Sequence, residues 1–132
     1  IRVVNRIVNM EQKVMTNQTG VVGNHAENLA LKYLKTKGFR LIESNFSCRH
    51  GEIDLLMQDS EYLVFVEVRH RRNQRFGGAL ASVDTRKQNK LRRTAEYYLI
   101  KHKKTDCPCR FDILCVDGNL SAPTYDWIHN AF

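Results

Sequence analysis

The sequence predicts an α/β domain in which a mixed central sheet of about four to five strands is flanked by helices. Two long segments with a helical apolar period begin at Asn24 and Asp84. Short apolar segments with strand-like alternation lie between these helices and after the second one. An order of one helix, three strands, a second helix and one or two further strands is typical of helices packed on a single sheet.

The composition indicates one domain with an anionic partner. The chain has 132 residues, of which 42% are hydrophobic, and this is enough for one packed core. The net charge of +7 favours nucleic acid, because lysine and arginine gain affinity from phosphate contacts and counterion release. No apolar run approaches the length of a bilayer and the first residues lack the order of a secretory signal, so we expect a cytoplasmic protein without a membrane partner.

Residues 1–20 lack helix caps and a sustained apolar period, although apolar residues are common among them. Met10 and Met15 lie inside this segment, and the chain itself does not begin with methionine. We therefore expect a flexible N-terminal segment over residues 1–20, part of which could be leader sequence, and one domain over residues 21–132.

The first helix is predicted over Asn24–Lys37. Asn24 is a favourable N-cap, Glu27 stands three residues later as in a capping box, and Gly38 is a natural residue to end the helix. The apolar stripe at helical spacing comprises Ala26, Leu29, Ala30, Tyr33 and Leu34. The simplest role of Glu27 is its capping bond. A second role is that of a carboxylate beside a metal-binding hairpin.

A first strand is predicted over Phe39–Phe46, and a hairpin follows over Gly51–Arg71. Alternation gives the first arm of the hairpin one apolar row, formed by Ile53, Leu55 and Met57. The second arm has a matching row, formed by Val64, Val66 and Val68. Joining the two apolar rows with a four-residue turn over Asp59–Tyr62 sets the register, because a slip of one residue would turn one row outward.

This register sets Asp54 directly opposite Glu67. It also sets Glu52 opposite Arg69. Two carboxylates that face each other repel and destabilise a hairpin unless a cation compensates them. Oxygen ligands from two strands, with a cationic side chain two residues beyond one of them, suit Mg²⁺ or Mn²⁺ and a phosphate ester. The alternative interpretation is an exposed hairpin face with ordinary solvated charges.

The segment after the hairpin, from Arg71 to Gly78, is basic and contains glycine, which predicts a mobile loop. A basic loop beside an acidic metal site is suited to a phosphodiester, with cations on the phosphates and carboxylates on the metal. The candidate phosphate contacts in this loop are Arg71, Arg72 and Arg75. For any single arginine, a solvated loop residue is the alternative.

The second helix is predicted over Asp84–Lys103, and its inward stripe comprises Gln88, Leu91, Ala95, Tyr98 and Leu99. Lys87 borders this stripe in the first turn, where the helix N-terminus carries partial positive charge and free N–H groups that suit phosphate. Lys87 and Lys90 are therefore candidates for the site, whereas the other basic residues are expected on a solvated face. Two strands follow, over Phe111–Val116 and Tyr125–His129.

The four cysteines do not have the spacing of a zinc ribbon. Cys115 lies inside an apolar strand and is most simply a small core residue. Free thiols are the default expectation. A zinc site would have to gather four distant ligands, namely Cys48, His50, Cys107 and Cys109.

The hairpin resembles the Asp…Glu-x-Lys core of the restriction-endonuclease-like nucleases. The matching arms are Gly51-Glu52-Ile53-Asp54-Leu55-Leu56 and Val64-Phe65-Val66-Glu67-Val68-Arg69. From Gly23 to Phe132 the chain resembles the YraN family of small bacterial proteins. The other matching stretches are Gly23-x-x-Ala26-Glu27, Phe76-Gly77-Gly78-Ala79, Lys87-x-x-Lys90-Leu91, Arg110-Phe111-Asp112 and Asn130-Ala131-Phe132.

This resemblance implies the restriction-endonuclease-like α/β fold, which archaeal Holliday-junction resolvases share. It implies that Asp54 and Glu67 hold Mg²⁺, with the carbonyl of Val68 as a further ligand. The first-helix glutamate of the resolvase-like members corresponds to Glu27, and Glu52 is a candidate to support the metal or its waters. Because resolvases of this fold often act as dimers, a homodimer is an open expectation. Nuclease activity in the family is itself inferred from fold and motif.

The sequence departs from the pattern at the lysine position, which Arg69 occupies. Arginine stabilises charge, but with a pKa above about 12 it cannot serve as a general base. Three outcomes stay open. A metal-bound hydroxide attacks with Arg69 as electrostatic partner, Lys87 supplies the missing amine, or catalysis is weak or lost.

The favoured function is that of a Mg²⁺-dependent endonuclease acting on DNA, structured or branched DNA above all. Its catalytic residues would be Asp54, Glu67, Arg69 and Lys87, and its metal ligands Asp54, Glu67, Glu27 and Glu52. Its nucleic-acid contacts would be Arg69, Arg71, Arg72, Arg75, Lys87 and Lys90. One alternative is a nucleic-acid-binding module of the same fold without cleavage, which the arginine at position 69 favours. A third hypothesis is a zinc-stabilised interaction protein.

Overall fold

The computed structural model describes residues 21–72 and 78–132, with side chains from residue 25 onwards. Residues 1–20, where a flexible segment is expected, and residues 73–77, which include Arg75, lie outside the described residues. The helices are α1 (Val21–Thr36) and α2 (Thr85–Lys101), and a short 3₁₀ turn spans Leu80–Ser82. The strands are β1 (Arg40–Cys48), β2 (Gly51–Asp59), β3 (Tyr62–Arg71), β4 (Cys109–Asp117) and β5 (Thr124–Ile128).

The five strands form one mixed sheet in the order β1-β2-β3-β4-β5. Neighbouring strands are antiparallel except for β3 and β4, which are parallel. A parallel pair needs a long crossover, and α2 provides it between β3 and β4. The predicted α/β class is confirmed, and the mixed sheet with two helices is consistent with the restriction-endonuclease-like fold.

The sheet is buried on both faces, and each face has its own apolar core. The core under α1 contains Ala30 and Leu34 of the helix, packed on Leu55, Val64 and Val66 of the hairpin. The core under α2 contains Leu91, Ala95 and Tyr98, packed on strand residues that include Leu56, Phe65 and Ile113. Neither helix in the described ranges is long and apolar enough to cross a membrane.

The helix bounds differ from the sequence predictions at the start of α1, and α2 ends at Lys101, two residues before the predicted Lys103. Helix α1 begins at Val21, so Asn24 lies inside the helix and its prediction as the N-cap is wrong. Asparagine inside a helix costs less than about 0.7 kcal/mol relative to alanine, which is too little to stop a helix that continues on both sides. The predicted end is confirmed, because Gly38 follows α1 with φ of +89°. The predicted start of α2 is also confirmed, since Asp84 is its N-cap.

The predicted register of the hairpin is confirmed from Asp59↔Tyr62 to Leu55↔Val66. The prediction that Ile53 shares a face with Leu55 and Met57 is wrong, because Ile53 packs in the core under α2. The cause lies on β1, where Asn45 has a left-handed backbone with φ of +53° between the pairs Ser44↔Leu55 and Phe46↔Ile53. A residue in this conformation breaks the alternation of faces, and the strands change side at the level of Asp54.

Candidate metal and nucleic-acid site

The site begins where β2 and β3 separate. Their backbone pairing ends at Leu55↔Val66, one residue before Asp54 and Glu67. Beyond this pair a side chain replaces the backbone hydrogen bonds between the strands, because the N–H of Val68 donates to Asp54 Oδ2 at 2.8 Å. The carboxylate of Asp54 therefore lies between the two strands at the point where they separate, which we call the fork. The two carboxylates predicted to face each other do so across this fork.

The carboxyl groups of Asp54 and Glu67 lie within hydrogen-bonding reach of each other. Burial raises the pKa of Glu67 to about 8, and the charge of Asp54 adds to the rise, while Lys87 and Arg69 oppose it. Burial also raises the pKa of Asp54, and the N–H of Val68 opposes that rise. Without a cation, this pair therefore holds a proton near neutral pH.

One carboxylate oxygen of Glu67 is buried without a hydrogen-bond donor in the part of the chain that the structure describes. Its side chain is 6% exposed, and its Oε2 atom has no hydrogen-bond partner among the described residues. Among the described side chains, the ammonium of Lys87 lies near that oxygen, with Nζ at 3.9 Å. A buried carboxylate oxygen without a donor is costly, and a divalent cation would satisfy it. The donor set therefore fits Mg²⁺ or Mn²⁺, with Asp54 and Glu67 as its carboxylate ligands.

The two further carboxylates predicted as ligands do not complete a larger cluster. In residues 25–72 and 78–132, no three side chains of His, Cys, Asp or Glu are gathered as a metal-binding group. Glu52 is exposed at the start of β2, and its charge adds to the raised pKa of Asp54. Glu27 is half-buried in α1. Direct coordination by Glu27 or Glu52 stays a prediction.

Lys87 reaches the carboxylates because α2 begins beside the fork. The N-cap Asp84 accepts the N–H of Lys87 through Oδ1 at 2.8 Å, which sets the direction of the first turn. Further along, α2 packs closely on the start of β2, where a Cβ at Gly51 would meet Thr94 Oγ1 at 3.1 Å. Gly51 also has φ of +147°, a backbone conformation that other residues rarely adopt. This close approach brings the basic flank of α2 over the hairpin.

A cavity of about 420 Å³ lies between the loop that joins β1 to β2 and the start of α2. Its lining comprises Ser47, Cys48, Arg49, His50, Gly51, Glu52, Lys87, Lys90 and Leu91. Two predicted residues, Lys87 and Lys90, therefore share one wall. The opposite wall carries Arg49 and His50, which sequence reasoning did not assign to nucleic acid. Their position immediately before Gly51, at the entrance to the acidic hairpin, is the signal that could have identified them.

Comparison with protein families identifies the chain. Residues 26–116 match the family model described as Uncharacterised protein family UPF0102, which is the YraN family. A UPF0102 protein of Stutzerimonas stutzeri is 50% identical over 111 residues, which cover 83% of this chain and 92% of that protein. The chain belongs to the YraN family. The resemblance of the hairpin and of its flanking motifs is thereby confirmed at the level of the family.

Other YraN-family relatives are similar over comparable lengths. A UPF0102 protein of Legionella pneumophila is 48% identical over 111 residues, covering 83% of this chain and 92% of the relative. A UPF0102 protein of Nitrosomonas europaea is 46% identical over 116 residues, covering 88% of this chain and 97% of the relative. None of these names states a reaction, so any activity has to be argued from the site.

The arginines of the YraN hairpin have different environments. The guanidinium of Arg71 donates to both carboxylate oxygens of Asp117 at 2.7 Å and to Asp126 at 3.1 Å. These bonds raise the pKa of Arg71 and join β3 to β4 and β5, which gives this predicted phosphate contact a structural role. Arg72 is exposed, and Arg69 is half-buried and close enough to lower the pKa of Glu67. The predicted contact of Arg75 lies outside the described residues.

The four-ligand zinc arrangement is not formed. Cys48 and His50 lie beside Gly51 at one end of β2, whereas Cys109 pairs with Leu63 next to the other end. The length of β2 separates these two groups by about 20 Å. Cys115 is fully buried in the core under α2, as predicted. All four cysteines are free thiols.

Proposed function

We propose that this YraN-family chain is a Mg²⁺- or Mn²⁺-dependent endonuclease that hydrolyses phosphodiester bonds in structured or branched DNA, in the manner of a Holliday-junction resolvase. One observation supports this above the others. Buried Glu67, one oxygen of which lacks a donor among the described residues, and half-buried Asp54 lie beside Lys87, which lines a cavity together with further cations. Acidic residues that prefer a metal and basic residues that prefer phosphate are the two halves of such a site.

Asp54 and Glu67 would hold the metal, and the carbonyl of Val68 is the further protein ligand that the family resemblance implies. The N–H of Val68 already binds Asp54, so this residue positions the carboxylate whether or not its carbonyl binds metal. Glu52 and Glu27 would hold metal-bound waters. When bound, the cation supplies a Lewis acid and a water of lowered pKa.

The cationic side chains of the site would stabilise negative charge on the phosphate. Lys87 Nζ, 3.9 Å from Glu67 Oε2, lies beside the acidic pair and can stabilise negative charge that develops on the phosphate. Arg69 contributes electrostatically from β3 and cannot accept a proton at neutral pH.

The cavity walls would hold the DNA backbone. Lys90 and Arg49 approach from opposite sides, and exposed Arg72 follows the end of the hairpin. Arg71 is excluded from this set because a phosphate would have to displace two carboxylates from its guanidinium. Contacts of this kind position the backbone and carry no sequence information.

The experiment is a titration of Mg²⁺ and Mn²⁺ with labelled duplex, single-stranded and four-way-junction DNA. Wild type is compared with Asp54→Asn and Glu67→Gln, and the matched control is Glu61→Gln, an exposed glutamate at the hairpin turn. We expect cleavage that requires metal and falls more than about 100-fold in both site variants, because even indirect partners of a metal are worth 10- to 100-fold. Cleavage that survives both substitutions would refute the assignment.

A binding module without catalysis is the second candidate, and Arg69 in the place of lysine is the observation that favours it. In this case the same titration shows DNA binding that neither Asp54→Asn nor Glu67→Gln weakens and no cleavage with either metal. Substitution of Arg69 by lysine provides a direct comparison. If this single change creates or greatly increases cleavage, the arginine limits catalysis.

A further inference from the structure

Two aromatic rings stand beside the cavity of the candidate site. His50 lines the cavity, and the ring of Tyr97 on α2 lies 5.9 Å from the His50 ring, centroid to centroid. The planes of the two rings are inclined by 59°, so they form two walls rather than a stack. Tyr97 is 37% exposed, whereas its neighbour Tyr98 is buried in the core under α2.

Each ring has a neighbouring side chain that restricts it. The ring of buried Phe46 lies 6.3 Å from Tyr97 and supports it on the side facing the core. Arg49 Nε donates to Nε2 of the His50 ring at 3.4 Å, while the backbone N–H of His50 donates to Cys48 Sγ at 3.4 Å and fixes the loop that carries the ring. A supported aromatic side chain loses little conformational entropy when a ligand stacks on it, which favours binding.

Cations accompany the rings along the same path. Lys90 precedes Tyr97 by seven residues, so the two side chains lie on the same side of α2 and about 10 Å apart along its axis. Arg49 is next to His50 on the opposite wall. Alternating cations and exposed aromatic rings bind single-stranded nucleic acid, because the cations hold phosphates while the bases stack on the rings.

We propose that Tyr97 and His50 form a stacking site for one unpaired nucleobase of the DNA whose backbone occupies the cavity. This inference deepens the proposed function and depends on it for the identity of the ligand as DNA. In a continuous duplex the faces of the bases are covered by their neighbours and cannot reach a protein ring. The preferred substrate is therefore a single strand or the unstacked nucleotide at a branch point, rather than a blunt duplex.

The test measures binding in chelator, so that it does not depend on cleavage. Fluorescence anisotropy compares a labelled single strand with a blunt duplex, and 2-aminopurine placed along the strand reports stacking through quenching. The variants are Tyr97→Leu and Tyr97→Phe. The matched control is Tyr62→Leu, because Tyr62 is 38% exposed but lies at the hairpin turn, at the other end of β2 from the cavity.

Removal of the Tyr97 ring should weaken single-strand binding by about five- to 100-fold and abolish the quenching, as expected for one stacked base. Tyr97→Phe and Tyr62→Leu should bind like wild type, and duplex binding should change less than about two-fold in every variant. Equal single-strand affinity of Tyr97→Leu and wild type, or equal losses on single strand and duplex, would overturn the proposal.

The outcome is separable from that of the endonuclease proposal. If wild type never cleaves DNA but Tyr97→Leu loses single-strand binding, the stacking site stands and the catalytic assignment fails. If metal-dependent cleavage requires Asp54 and Glu67 while Tyr97→Leu binds the single strand like wild type, the catalytic assignment stands and the stacking site fails. A circular dichroism spectrum and a melting curve of each variant verify that it is folded.

Discussion

Glu67 shows how the fold tolerates an acid that it buries. Its carboxyl group is 6% exposed, beside a second carboxyl group, and one of its oxygens lacks a donor among the described residues. Three things can make such a group tolerable: a proton, a nearby cation or a metal ion. The raised pKa of Glu67 favours the protonated acid in the absence of metal, and Lys87 Nζ lies 3.9 Å from Glu67 Oε2.

This arrangement predicts an unusual pH dependence of the free energy of unfolding. The pKa of Glu67 rises from 4.5 in the unfolded chain to about 8 in the fold. The folded protein thus keeps a proton that the unfolded chain releases, and stability falls as the pH rises between these values, by up to about 1.4 kcal/mol per pH unit. Melting curves in chelator should show this fall in wild type relative to Glu67→Gln.

The melting temperature in the presence of Mg²⁺ provides a second test of the raised pKa of Glu67. Because metal binds the deprotonated carboxylates, saturating Mg²⁺ should raise the melting temperature of wild type most at the alkaline end. Glu67→Gln should show little of this increase. The same pH profile in wild type and Glu67→Gln would contradict the raised pKa of Glu67.

Arg71 and Arg72 are adjacent in sequence, but we expect alanine to lower the stability of the fold at Arg71 and the affinity for DNA at Arg72. Arg71→Ala leaves Asp117, a 3% exposed carboxylate, without its bidentate partner and should lower the free energy of unfolding by about 3 kcal/mol. Arg72→Ala removes an exposed side chain and should change stability by less than about 0.5 kcal/mol while weakening DNA binding. Denaturant unfolding and DNA titration of both variants measure this; a stable Arg71→Ala protein would show that the salt bridge is dispensable.

At the scale of elements, the hairpin and α2 together build the site. The register of the hairpin could be predicted because the four-residue turn over Asp59–Tyr62 and the matching of apolar residues in the two arms indicate the same pairing. The fork could not be predicted in this way. It depends on the left-handed backbone of Asn45 in the neighbouring strand and on a side-chain bond from Asp54 to Val68, and neither has a signal in the apolar pattern.

The start of α2 offers a direct test of how an element positions a charge. Asp84→Ala removes the cap that binds the N–H of Lys87 and should lower the free energy of unfolding by about 1 kcal/mol. It should also reduce cleavage, because the first turn that carries Lys87 loses its anchor. Asp84→Asn keeps an acceptor at the cap and should restore both properties. Loss of cleavage in Asp84→Asn as well would indicate that the charge of Asp84, rather than its cap, is required.

At the scale of the whole molecule, the basic character could be predicted from composition, but the grouping of cations could not. Arg49 and Lys90 are distant in sequence, and they meet across one cavity because α2 returns over the sheet to form the crossover. The sequence pattern predicts Lys90 as a nucleic-acid contact and offers no such prediction for Arg49, although both residues line the cavity. Conversely, the sequence pattern predicts Arg71 as a phosphate contact. Its carboxylate partners, Asp117 and Asp126, come from two later strands, and the sequence does not show that they meet this arginine.

The salt dependence of DNA binding measures this grouping. A plot of log K against log[salt] falls more steeply with each phosphate that the protein neutralises, by about 0.9 for duplex and about 0.7 for single strands. Arg49→Ala and Lys90→Ala should each reduce the slope by about that amount. Lys32→Ala, an exposed lysine of α1 on the other face of the sheet, should leave it unchanged. Equal effects of all three would indicate diffuse charge rather than a defined path.

The crossover between β3 and β4 also sets the order in which the site is assembled during folding. A hairpin forms from neighbouring residues in about 1–10 μs, so its two carboxyl groups meet early. Pairing β3 with β4 requires the intervening α2 to fold back, and contacts between distant parts of the chain form later. The acids therefore come together while water still solvates both carboxyl groups and screens their repulsion. The cost of the pair arises when the rest of the fold closes over it and removes this water, and that is the step that a bound divalent ion would favour.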